Sequence, residues 1–176
     1  MDPFDRALDE WQPVFVLIGG MAATLTGLLF VAVSLGVRTI MSDDHPQLRS
    51  SAIRTFNQFL LIMEVSIVAL IPRQTPLTLG ASIAVLALLA VGITVWTSRD
   101  VLTKGVDHGR RSAVTANVMS GLMVLVGIMI AVVGANAMFV LLSLVIAILI
   151  SSVFEAWYLL VQLGQDEAGS EGGGNS

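Results

Sequence analysis

The chain has 176 residues, 55% of them hydrophobic and 12% charged, with a mean hydropathy of +0.85 and a formal net charge of −4. A soluble domain carries about 25% charged residues, so this chain lacks the polar surface to cover a soluble globule and reads as an integral membrane protein. It contains no cysteine, which excludes disulfides, thiolate zinc sites and cysteine nucleophiles, and its length leaves no room for a separate soluble enzyme domain.

The first ten residues hold Asp2, Asp5, Asp9 and Glu10 against Arg6. That is the opposite of the basic start of a signal peptide, so the first span is expected to stay in the protein. A crossing needs about 20 mainly apolar residues, and five stretches meet this: 13–37, 53–71, 77–97, 114–134 and 137–162. Pro46, after Asp43-Asp44-His45, suits the first position of a helix that would carry Arg49 and Arg54 on a cytoplasmic extension of the second span. Pro72 and Pro76 bracket Arg73-Gln74-Thr75, and Gly134-Ala135-Asn136 supplies a turn. Spans two and three, and spans four and five, are therefore expected to be antiparallel hairpins. Residues 164–176 are polar and Gly-rich and read as a disordered tail. The expected fold class is all-α: one polytopic bundle of five transmembrane helices over 1–163, then the tail. No internal repeat stands out, and an odd span count argues against an inverted-repeat transporter.

Orientation follows from the positive-inside rule. Arg6 and Arg73 fall on one side; Arg38, Arg49, Arg54, Arg99, Lys104, Arg110 and Arg111 fall on the other. This places the N-terminus outside and the C-terminus in the cytoplasm. Trp11 then sits at the outer interface, with Trp96, Trp157 and Tyr158 near the inner one, as amphipathic rings prefer.

Small residues mark helix contacts in lipid. Such stripes run through Gly19, Ala23 and Gly27; through Ala113, Ser120, Gly127 and Gly134; and through Ser143, Ala147 and Ser151. Each reads either as packing within one copy or as a subunit interface. Burying every one of them in a single five-helix bundle is hard, so a homo-oligomer is expected.

Two carboxylates lie in the spans. Glu155 sits about 27 Å from the outer end of its helix, near the levels of Arg54, Asn117 and Thr94 at 1.5 Å per residue. Arg54, Asn117 and Glu155 are expected to form an inner polar belt, with Arg54 and Glu155 either paired or each reaching water. Glu64 sits about 10 Å from the outer end, among Ile62, Met63, Val65, Ile67 and Val68, with Asn57 two turns away on the same face. An ionisable group so deep costs about 2.5–3.5 kcal/mol or more and is expected to face the bundle, a cavity or a symmetry axis. Glu64, Asn57 and Ser143 therefore form a candidate pathway for a small cation or proton. The alternative is a protonated Glu64 hydrogen-bonded to Ser143 or a carbonyl. Asp43, Asp44, His45, Asp107 and His108 have no recognised ligand spacing, so no metal site and no cofactor are expected. GxSxG and glycine-rich phosphate loops are absent. No catalytic residue, enzymatic activity or nucleic-acid partner is expected. The reading is a homo-oligomeric cation or proton pathway; the alternative is a non-catalytic membrane partner or assembly subunit.

Gly27-Leu-Leu-Phe-Val-Ala-Val-Ser34 and Glu155-Ala-Trp-Tyr-Leu-Leu160 resemble a functionally uncharacterised family of small multi-span bacterial membrane proteins, common in actinobacteria. The resemblance covers the first span into the second and the end of the fifth, about half the chain, through hydrophobic motifs. It implies a bacterial inner-membrane location and transfers no functional residue. Glu64 and Asn57 lie outside the matching stretches.

Overall fold

The computed structural model describes residues 3–36, 46–103 and 107–172, with side chains at all of these except 3, 5, 46–47, 97–103, 107–113 and 162–172. Arg38, Asp43, Asp44, His45 and Lys104 therefore lie outside the described residues, as do the side chains of Arg99, Asp107, His108, Arg110 and Arg111. Among the described residues five α-helices follow in order: α1 Pro3–Leu35, α2 Pro46–Ala69, α3 Pro76–Thr103, α4 Asp107–Val133 and α5 Met138–Gly172. A 3-10 turn, Gly134–Ala137, joins α4 to α5, and the described residues contain no strand.

Four continuous helical stretches are long and apolar enough to cross a membrane: Arg6–Leu35, Leu48–Ala69, Pro76–Trp96 and Val114–Val161. The sequence reading divides the last of these into two spans. Here α4 and α5 follow one another through the four-residue 3-10 turn as one apolar stretch of 48 residues, so length and apolarity give four stretches where five spans were expected. Two helix ends also differ from expectation. α1 begins at Pro3, ten residues before the apolar run, and α5 continues to Gly172, past the expected span end at residue 162. Extending a formed helix avoids the nucleation cost, and Gln165, Glu167 and Ala168 are adequate helix formers. α2 does start at Pro46, as the proline suggests.

The connections show why these residues turn the chain. Thr75 caps α3: its Oγ1 accepts from the Thr78 backbone N–H at 3.2 Å, and its own N–H donates to Thr78 Oγ1 at 3.0 Å. Pro76 follows at the first helical position, where its missing donor costs nothing. Gln74 Nε2 donates to the Val68 and Ile71 carbonyls just at the end of α2, where the Val68 carbonyl also accepts from the Ile71 N–H at 3.2 Å. After α4, Gly134 takes φ +76°, a left-handed conformation that other residues adopt only with strain.

α2 runs through the middle of the bundle, with Phe59, Leu61, Ile62 and Val65 buried. α3 and α4 cross backbone against backbone. A Cβ on Gly127 would meet the Gly80 carbonyl oxygen at 2.7 Å and the Ala84 nitrogen at 2.9 Å, and one on Gly80 would overlap the Gly127 carbonyl. The α4 stripe is thus spent inside the copy, with Ser120 and Gly127 both buried. α1 uses only part of its stripe: Gly19 lies against Ser66, while Ala23 and Gly27 are exposed. Near the start of α1 Phe4 and Leu8 are buried, and Trp11 meets Phe139 edge to face with centroids 4.8 Å apart. The outward faces of the helices carry large apolar side chains, among them Leu17, Phe30, Leu88, Leu125 and Phe154. That surface suits hydrocarbon and not water.

Candidate functional site: a buried polar layer and a bare carboxylate

One helix carries both groups of interest. On α2, Ser50, Arg54, Asn57 and Gln58 recur at helical spacing and share a face, with Thr55 beside them; all five are buried. Ile53 and Phe56, in the same turns, point outward.

Hydrogen bonds tie this face to α3 and α5. Asn57 Nδ2 donates to the Ala90 carbonyl at 3.1 Å and to Thr94 Oγ1 at 3.2 Å, while Thr94 Oγ1 itself donates to the Ala90 carbonyl at 2.8 Å. Towards α5, Thr55 Oγ1 donates to Glu155 Oε2 at 3.2 Å. Ser152 has a single hydroxyl hydrogen and two acceptors in reach, Gln58 Oε1 at 2.6 Å and the Ile148 carbonyl at 2.8 Å. Arg54 is 1% exposed. Its Nη1 donates to Ser50 Oγ at 3.2 Å, and Glu155 supplies the negative charge that acts on it. A buried guanidinium in an apolar bundle is tolerable only with such a counter-charge and such acceptors.

Arg54, Thr94 and Glu155, expected at one level, thus come into one polar layer with Asn57 and Thr55. Asn117, on α4, is half-buried; the bonds just described run between α2, α3 and α5. Sequence reasoning passed over Ser50, Thr55, Gln58 and Ser152. The signal was available in the 50/54/57/58 spacing and in Ser152 one turn before Glu155, but isolated hydroxyls and amides in apolar runs are usual packing groups.

Glu64 behaves differently. It is half-buried and makes no hydrogen bond or ion pair with any described residue. Asn57 shares its helical face, yet Asn57 is covered by α3 and Glu64 is covered only in part. Ser143 is exposed and donates to the Phe139 carbonyl of its own helix at 2.8 Å. Glu64, Asn57 and Ser143 are thus not joined within one copy, and the expected Glu64–Ser143 hydrogen bond does not form. The interior of the bundle is filled by fully buried side chains such as Leu61, Ile62, Leu79, Ile83, Ile130 and Leu141.

For chemistry, the layer offers neutralisation of charge and no group of three or more His, Cys, Asp or Glu among the described residues. No family model, curated protein or solved structure matches the chain; the resemblance rests on its two hydrophobic motifs.

Proposed function

We propose that the chain is a five-span subunit of a homo-oligomer in a bacterial inner membrane, in which Glu64 residues from neighbouring copies line a cation or proton pathway. The observation that carries this is Glu64: an ionisable group well inside an apolar stretch, half-exposed and unbonded. Facing lipid it would cost about 2.5–3.5 kcal/mol; a second copy covering the face removes most of that contact. Carboxyls brought together in this way attract cations.

Five crossings are supported by length and by pairing. A straight 48-residue helix would be about 72 Å long, more than twice a hydrocarbon core of about 30 Å. Phe139, at the start of α5, meets Trp11 near the start of α1, whereas Glu155 meets Thr55 near the start of α2. α5 therefore runs back along α4. Cysteines introduced at Asp5 and Gln74 should label from outside, and those at Gln47 and Gly105 should not. Outside labelling at Gln47 would reverse the orientation.

The pathway is tested by cation flux into liposomes. Glu64→Gln keeps shape and hydrogen-bonding capacity, so it should preserve assembly and lower flux. Unchanged flux, or none in either protein, would remove the pathway. The filled interior of a single copy favours a second reading, a non-catalytic assembly subunit whose Glu64 face is covered by a different membrane protein. Under that reading the purified chain is a monomer by mass in detergent.

A further inference from the structure

A second feature lies beside α2, in the half of the bundle that holds Arg54. A cavity of about 170 Å³ opens between α1, α2 and α5. Buried Leu29, Ala52 and Phe59 form its floor, and exposed Leu28, Trp157 and Leu160 form its rim. We infer that this cleft holds one acyl chain of an anionic phospholipid from the leaflet on the Arg54 side.

Three observations select that occupant. Every lining residue but the amphipathic Trp157 is apolar, so water entering the cleft lacks the two to four polar partners that would hold it. All three walls belong to stretches long and apolar enough to lie in the membrane, and the rim is on their exposed faces, so the opening gives onto hydrocarbon and admits ligands from lipid. Charge supplies the third. Arg49 is exposed on α2, one turn beyond Ala52 towards the helix start, where it can meet a phosphate while the chain enters the cleft. Trp157 on the rim is the amphipathic ring that prefers this depth. The volume is adequate: a dry cavity of about 150 Å³ takes up benzene, so about six carbons of the chain fit.

The inference does not depend on the pathway, and its test leaves Glu64 intact. The full chain is purified in mild detergent, exchanged with phosphatidylglycerol or phosphatidylcholine, and weighed by native mass spectrometry. One phosphatidylglycerol per copy should remain bound. Ala156→Phe and, from the facing wall, Ala32→Leu both narrow the cleft and should abolish retention, with helicity checked by circular dichroism so that one folded variant suffices. Arg49→Gln should lower the preference for phosphatidylglycerol over phosphatidylcholine about fivefold, the weight of one basic residue at an anionic surface. Leu125→Phe, on the exposed face of α4, should change nothing. Equal retention in a folded cleft-filled variant overturns the site. So does a lipid-free dimer that Ala156→Phe dissociates, since a second copy would then be the occupant.

Discussion

Arg54 and Glu64 stand ten residues apart on one helix, and the bundle treats them in opposite ways. Around Arg54, α3 and α5 bring in Thr94, Ser152 and Glu155, and most of the polar group is buried and hydrogen-bonded, with Glu155 half-buried and Gln58 Nε2 left without a partner among the described residues. Glu64 is half-buried and makes no hydrogen bond or ion pair with any described residue. The first arrangement is assembled from side chains of a single copy. The second is complete only when something else covers it. Charge inside a membrane is thus informative chiefly through its partners: a satisfied group specifies how helices pack, and an unsatisfied one specifies what the surface must meet.

Removing charge from the satisfied end should be the most damaging way to test this contrast. Arg54→Leu strands Glu155 next to apolar side chains and should cost about 3 kcal/mol, read from unfolding in mixed micelles. Arg54→Leu combined with Glu155→Gln should cost less than the first change alone; simple additivity would mean that the two groups act separately. Asn57→Leu, which loses both bonds to α3, should cost about 1 kcal/mol in the same assay. Ser152→Ala, which frees one contact to Gln58, should cost about 0.6 kcal/mol. At the open end, Glu64→Gln should alter the stability of a single copy by less than about 0.5 kcal/mol, while mass measurement and flux report its effect on assembly and conduction. A stability loss at Glu64 as large as that at Arg54 would break the comparison and make Glu64 an internal structural acid.

Much of this was legible in the sequence. Long apolar runs locate the helices, Pro46, Pro76 and Gly134 mark where they start or break, and counting depth along them puts Arg54 and Glu155 at one level. These are local properties: run length, backbone freedom and rise per residue act wherever the helix is placed. Which face of each helix is covered is not local. In a membrane both the lipid-facing and the protein-facing sides are apolar, so the periodicity that orients a helix in a soluble protein is largely lost. Asn57 and Glu64 share a face by periodicity, and only the position of α3 buries one and leaves the other half open. Gly127 and Gly27 look equivalent in their runs, yet one holds the α3–α4 crossing and the other has nothing within 4 Å of its position. Gln58 and Ser152 become a pair only because α5 folds back alongside α2. Apolar length and backbone punctuation determined the helices; the side each one turns inward was decided by close packing among them, a property of the assembled bundle and of no single segment.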